Sequence, residues 1–320
     1  MQNYSNIQKI LHDFVLSKKI INKSLFELEK IIYLKNKDTK KQSHVFITGL
    51  PRSGTTSLLN FLFSSNNYAS LTYNNMPFIL SPHFSKLFNK KNTPKKERVH
   101  GDGIAFDINS PEALDEVFFN NDDEFVKHEL ENYIQLILLS NKKSKYLSKN
   151  NLNYERINLI NSILPNSIFL IPIREPLQHA NSLLNQHLRF SQFQKEDDFI
   201  RRYMNYLGHN EFGLNHKPWN NTNDFIDFNN INYWLEQWYL FYKFIYKKFQ
   251  SYENCYFVIY EELDNSNYIE KILKKTNLEK NKNIDLQFFR NSNKNKINIE
   301  YDKNILDKSQ LLYQNFLQSN

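Results

Sequence analysis

HVFITGLPRSGTTSLLNFLF, residues 44–63, divides into an apolar run, a short loop and a helix-forming segment. The run HVFIT ends at Gly49 and has the continuous apolarity of a strand buried on both faces of a parallel sheet. TTSLLNFLF follows as a helix. Gly49 and Gly54 stand at the G-x-x-x-x-G spacing of a nucleotide-triphosphate P-loop, but Thr55 occupies the position of its lysine. What remains is a strand-to-helix turn whose backbone N–H groups converge on an anion at the positive end of a helix. Ser53, Thr55, Thr56 and Ser57 add hydroxyls, and the cation is moved to Arg52.

Outward from this stretch, the same arrangement recurs. SIFLIPIREP carries an apolar strand into Arg174, Pro176 stands where a helix can start, and LQHANSLLNQHL has helical periodicity. YFVIYEEL supplies another buried strand over 256–260. Strands alternating with long helical stretches predict an α/β fold, a P-loop-like parallel sheet flanked by helices. Residues 6–34 read as one or two amphipathic helices followed by a lysine-rich, solvated link. The region from about 190 to 250 is a mainly helical insertion, clearest in INYWLEQWYLFYKFIYKKF, and 303–318 is a closing helix. The lysine- and asparagine-rich 276–300 is expected as a mobile loop. The resulting organisation is a helical extension over 1–40 and a single α/β domain over 41–320, without internal repeats.

Composition sets the outer limits. Hydrophobic residues make up 40% and aromatics 15% of the 320 residues, so the mean hydropathy of -0.64 reflects abundant Asn and Lys, not a missing core. A net charge of +7 favours acidic ligands without choosing among nucleotide, sulfated glycan and nucleic acid. No basic-aromatic pattern of a nucleic-acid-binding module is present, which argues against nucleic acid. The single cysteine, Cys255, sits in an apolar run and reads as an inert buried thiol. The N-terminus is too regularly charged for a signal peptide, and no apolar run reaches the roughly 20 residues of a membrane span; a cytoplasmic location is expected.

Arginine is sparse in this lysine-rich chain, which makes its placement informative: Arg52, Arg98, Arg156, Arg174, Arg189, Arg201, Arg202 and Arg290. A planar donor fork beside the loop suits a two-oxygen grip on phosphate or sulfate. An isolated PRSG equally fits a surface arginine before an ordinary helix, so the second site matters. Arg174 leaves a strand end, and Ser182 follows on the next helix about two turns later. Two strand ends of a parallel sheet can meet in one crevice and hold a ligand with two separated phosphates.

With both motifs in order, the sequence resembles the PAPS-dependent sulfotransferases, in the bacterial and Golgi-type branch that has PRSGTT where cytosolic enzymes have PKSGTTW. The resemblance implies that Arg52, Ser53, Gly54, Thr55, Thr56 and Ser57 hold the 5'-phosphosulfate of 3'-phosphoadenosine 5'-phosphosulfate (PAPS). It implies that Arg174 and Ser182 hold the 3'-phosphate. It also places a strand-end lysine at Lys149, in YLSKNNLN. The implied activity is in-line sulfuryl transfer from PAPS to a hydroxyl acceptor, a carbohydrate, lipid or small metabolite, with no metal. Such an enzyme does not move the terminal phosphate of a triphosphate, which accounts for the absent P-loop lysine.

In this reading Arg52 and the loop amides hold the sulfonate and Lys149 neutralises the leaving oxygen. His100 in VHGDG is the expected base, since imidazole titrates near neutral pH and Gly101 and Gly103 let backbone approach a ligand. Asp102 would orient it. Many Golgi-type relatives place a catalytic Glu about two turns beyond the helix after the first motif, where this chain has YNNMPF and no carboxylate. Glu112 and Glu116 are the alternatives, although their spacing first suggests a helix start capped by Ser110. YLGHNEFGLNHKPW, 206–219, reads as an acceptor-binding loop or as an aromatic-packed structural loop. A small-molecule kinase and a non-catalytic nucleotide- or glycan-binding protein are the rival functions.

Overall fold

The computed structural model describes residues 6–34, 41–88, 94–97, 105–219, 225–278, 289 and 297–319. Its strands are β1 (Val45–Ile47), β2 (Tyr68–Ala69), β3 (Lys96–Glu97), β4 (Ala105–Phe106), β5 (Lys145–Lys149), β6 (Ile168–Ile173) and β7 (Cys255–Ile259). Five of them form one sheet in the order β2-β5-β1-β6-β7, and every pairing in it is parallel. β3 and β4 make a separate antiparallel ribbon. The chain runs from central β1 to one side and returns to the other, so β1 borders the topological switch point where open α/β sheets place ligands.

Helices cover both faces, as the strand patterns require. They are α1 (Asn6–Ser17), α2 (Lys19–Tyr33), α3 (Thr55–Ser64), α4 (Pro82–Ser85), α5 (Glu116–Phe119), α6 (Asp123–Asn141), α7 (Asn153–Ile163), α8 (Pro176–Glu196), α9 (Asp198–Tyr206), α10 (Ile231–Phe249), α11 (Ser266–Lys275) and α12 (Lys303–Gln318). Strand side chains alternate between two cores. Val45, Ile47, Leu147, Leu170 and Val258 pack with Leu58, Leu59 and Leu62 of α3 and with Ile269, Ile272 and Leu273 of α11. Phe46, Tyr146, Phe169, Ile171 and Phe257 face the larger core, which includes Trp234, Trp238 and Phe241 of α10 and Phe316 of α12.

The expected helices at 231–249 and 303–318 are α10 and α12. Pro176 is the first residue of α8, capped by the Glu175 carboxylate, which accepts from Gln178 N. The strand expected over 256–260 lies one residue earlier: Cys255 pairs with Phe169 at its start, and Tyr260 turns out of the sheet into a 3-10 turn. Burial pushes the Cys255 thiol up to about 12, consistent with an inert packing residue. Most of the expected loop at 276–300, and 35–40 of the lysine-rich link, lie outside the described residues.

Candidate active site

The loop leaving β1 is bent by three left-handed or glycine-type positions: Gly49 at φ 141, Arg52 at φ 69 and Gly54 at φ 101. The turn is held from below. Ser53 is buried and donates from Oγ to Leu50 O at 2.7 Å, and buried His179 on α8 donates from Nε2 to Pro51 O at 2.8 Å. Burial, with the nearby arginines, lowers the His179 pKa to about 3, so the ring is a neutral strut. The first bond of α3 runs from Leu58 N to Gly54 O, 3.0 Å, so the amides of Thr55, Thr56 and Ser57 head the helix. Thr55 is buried, whereas Arg52, Gly54, Thr56 and Ser57 are partly exposed.

The second arginine joins this loop. Arg52 Nε donates to Ser182 Oγ at 3.2 Å, and Arg174 Nη1 donates to the Arg52 carbonyl at 3.3 Å. The strand ends of β1 and β6 therefore meet through Arg52, Arg174 and Ser182 in one polar cluster. Arg174 Nε is buried with no hydrogen-bond partner among the described residues. Such a buried donor without an acceptor is uncommon in folded proteins.

Tyr260, which sequence reasoning did not single out, completes the cluster from β7. The Arg174 guanidinium lies 5.1 Å from its ring centroid. A Cβ on Gly54 would sit 2.5 Å from Tyr260 Cδ2, so the glycine is required by the ring as well as by φ. The closing helix reaches the same place: Tyr313 donates to Glu261 Oε2 at 2.6 Å, Glu261 Oε1 accepts from Glu175 N at 2.9 Å, and Gln310 bonds the Glu175 carboxylate. Residues adjacent to Arg174 and Tyr260 are thus fastened to α12.

On the other side of β1, Lys149 is the last residue of β5, paired with Ile47 and largely buried. The next two residues grip two acids. Asn150 Nδ2 donates to Glu116 Oε2 at 2.7 Å, and Asn151 Nδ2 donates to Glu211 Oε1 at 2.8 Å. Glu211 Oε2 lies 3.6 Å from His209 Nδ1. Burial would raise the Glu211 pKa, but His209, Asn151 and Lys149 bring it down to about 2. For His209, burial disfavours the charged ring, yet Glu211 and Glu112 outweigh burial and Lys149 and raise its pKa above the ordinary imidazole value. Lys149, His209, Glu211 and Glu112 therefore share one electrostatic neighbourhood.

The expected bases divide. His100 and Asp102 lie outside the described residues. Glu116 accepts from Arg156 Nη1 at 2.8 Å and Nη2 at 2.7 Å as well as from Asn150, so both its oxygens are committed to a buried ion pair. Ser110 caps no helix: Pro111 bridges to Thr72, Ser110 bonds Asp107, and α5 begins only at Glu116. That bridge carries Glu112 to Tyr73, whose hydroxyl donates to Glu112 Oε2. A carboxylate thus stands beside YNNMPF after all, supplied from a distant segment.

The 206–219 segment performs two tasks. His216 is packed among Trp219, Phe228, Tyr233 and Trp234, with Nδ1 on Glu211 O at 2.7 Å and Nε2 on Tyr233 Oη at 2.6 Å. Burial lowers its pKa to about 4. Phe212 is buried against Phe190 and Trp234. The aromatic half packs into the core, and the His209–Glu211 half is tied through Asn151 to the end of β5. Among the described residues, no group of three or more His, Cys, Asp or Glu is placed to hold a metal, and no helix is long and apolar enough to cross a membrane.

An all-parallel sheet with a lysine-free glycine loop at its central strand, and a second arginine meeting that loop from the neighbouring strand, defines a P-loop-like α/β protein. The chain belongs to the sulfotransferase family, whose model matches residues 44–281. Among solved structures it is similar to the sulfotransferase STF1 of Mycobacterium tuberculosis, with a TM-score of 0.54 and 11% identity over 98% of this chain and 87% of that one. Sulfotransferase STF9 of Mycobacterium avium aligns with a TM-score of 0.48 and 12% identity over 99% and 86%. No curated protein matches the chain. Family membership makes the protein a transferase of the sulfotransferase class.

Proposed function

We propose that this protein transfers a sulfuryl group from PAPS to a hydroxyl acceptor, a carbohydrate, lipid or small metabolite, by in-line displacement. The loop of Ser53, Gly54, Thr55, Thr56 and Ser57, with Arg52, receives the 5'-phosphosulfate at the head of α3. Arg174 and Ser182 receive the 3'-phosphate. The observation that supports this reading is the direct junction of Arg52 with Ser182 and of Arg174 with the Arg52 carbonyl, which joins the two segments expected to bind the anions. The orphaned Arg174 Nε gives that junction a buried donor suited to a phosphate oxygen.

Chemically, the family's reaction asks for charge stabilisation more than for covalent help. Arg52 and the α3 amides compensate charge on the sulfonate, and Lys149, from the strand next to β1, compensates the oxygen that departs with the bisphosphate. Thr55 in place of the P-loop lysine suits a ligand that has no terminal phosphate to transfer.

The test is a comparison of thermal shifts. 3'-Phosphoadenosine 5'-phosphate (PAP) should raise Tm more than ATP with magnesium does. The reverse order would support a kinase on the same fold. A PAP shift without sulfuryl transfer from PAPS to any acceptor in a cell extract would support a binding protein.

A further inference from the structure

We propose that His209, oriented by Glu211, is the group that removes the acceptor's proton, and that the 206–211 loop is the acceptor side of the site. The inference rests on the sulfotransferase reading above and gives His209 the role for which the sequence suggested His100, which lies outside the described residues.

The position of His209 follows from a helix terminus. α9 ends in a Schellman turn: Gly208 N bonds Asn205 O at 3.1 Å, and His209 N bonds Met204 O at 2.9 Å. Gly208 has φ 71, and a Cβ there would run into the Glu116 side chain. Glu116 is itself held by Arg156 and Asn150. His209 is thus fixed by main-chain geometry against a rigid ion pair, and Glu211 two residues on is tied by Asn151 to the end of β5. Both ties originate directly after Lys149, so the loop carrying His209 is anchored at the end of β5, the strand whose lysine is proposed to act on the departing oxygen.

Among the described residues, the other acids and histidines near this edge are already engaged. Both oxygens of Glu116 are bonded. Glu112 accepts from Tyr73 and, at 2.8 Å, from Ala113 N. Asp115 is buried and accepts from Tyr133 at 2.8 Å, Tyr146 at 2.5 Å and Ser148. Both nitrogens of His216 are bonded. His179 lies beneath the loop. His209 differs: its side chain is 27% exposed, and its Nδ1 lies 3.6 Å from Glu211 Oε2. An imidazole with a carboxylate beside Nδ1 can take a proton at Nε2 and be stabilised as the cation.

In the reaction, the acceptor O–H bond breaks and its proton passes to His209 Nε2. The acceptor oxygen forms the new bond to sulfur, and the bond from sulfur to the 5'-phosphate oxygen breaks. The electron pair leaves on that oxygen, giving PAP. The imidazolium is stabilised by Glu211 until it returns the proton to solvent. Its titration is set by Glu211 and Glu112 from one side and Lys149 from the other, with the Glu116–Arg156 pair beneath Gly208.

The experiment measures sulfate release from radiolabelled PAPS with water as acceptor, alongside the thermal shift produced by PAP. His209→Ala should keep the PAP shift and lose at least roughly a hundredfold in rate, the scale of general-base catalysis. His209→Gly should regain rate when imidazole is added, which no structural role would produce. Glu211→Gln should move the acidic limb of the pH–rate profile to lower pH, because the carboxylate that favours the charged ring is gone. A His209→Ala rate within a few-fold of wild type, an acidic limb unmoved in Glu211→Gln, or the large loss appearing in His100→Ala instead would overturn the proposal. So would a wild-type protein that binds PAP but releases no sulfate. Absence of any PAP shift in the wild type would remove the sulfotransferase reading itself.

Discussion

Replacing Gly54 with Ala tests whether the glycine loop and Tyr260 form one unit. Two costs can be separated. At φ 101 an L residue is in left-handed backbone, which costs about 1–2 kcal/mol. The added Cβ would lie 2.5 Å from Tyr260 Cδ2 and 2.9 Å from Cε2, so the ring must move, and overpacking of this kind costs about 1–3 kcal/mol. The sum is about 2–5 kcal/mol. An unfolding entropy near 2.1 cal/mol/K per residue over 320 residues converts this to a Tm loss of about 3–7 °C. The ring cannot shift alone, because the Arg174 guanidinium lies over it, so PAP affinity should fall as well.

Calorimetry on Gly54→Ala, Tyr260→Ala and the double variant then isolates the contact. With the ring removed, Gly54→Ala should cost only the backbone part, leaving a coupling of about 1–3 kcal/mol. Strict additivity would refute the idea that the glycine makes room for Tyr260, and an unchanged Tm in Gly54→Ala would refute both parts.

Other perturbations probe the remaining supports. Arg174→Lys retains the charge but loses the planar fork, and isothermal titration should show PAP binding weakened about tenfold; unchanged affinity would mean that the guanidinium geometry is not used. Tyr313→Phe removes the bond to Glu261, of the class worth about 1.5–3 kcal/mol, and should lower both Tm and PAP affinity, since the link continues through Glu175 N to the residue beside Arg174. Glu29 on α2 is fully buried, accepts from Phe84 N at 2.6 Å, and is raised by burial to about 7 from 4.5. The folded carboxyl therefore holds its proton where the unfolded one has lost it, and stability falls as pH rises from about 4.5 through about 7. Glu29→Gln, which stays neutral and keeps an acceptor, should match wild type in Tm near pH 4 and exceed it near pH 8; equal Tm at both would refute the linkage.

The parts of the fold that could be read from sequence are those whose burial is uniform. IFLIPI in β6 is buried at every position, and an uninterrupted apolar run has no other economical placement. α10 shows its helical stripe because Trp234, Trp238, Phe241 and Ile245 recur on the face that meets the larger core. β5 has no such signature. Lys145 and Lys149 bound it, and Ser148 is polar yet buried, satisfied by Asp115 from a segment far away in sequence. Only the resemblance to known sulfotransferases marked Lys149 as a strand end.

The site divides in the same way. Its anion side is written in contiguous stretches: the loop that makes the turn also carries Arg52, and β6 with α8 carries Arg174 and Ser182. The parallel pairing of β1 with β6 then brings them together. The proposed acceptor side is assembled from Glu112, Lys149, His209 and Glu211, whose common ground is tertiary. His209 and His216 lie in the same segment and look alike in sequence, but their surroundings separate them. One follows Gly208 in a helix-ending turn and meets the end of β5; the other falls among the rings of α10 and is driven neutral. The local clue was the glycine directly before His209, a helix-stop signal that says where the backbone turns but not what waits there. A histidine's chemistry is decided by what the fold sets beside its nitrogens, and beside His209 Nδ1 it sets the Glu211 carboxylate, which Asn151 holds by its other oxygen.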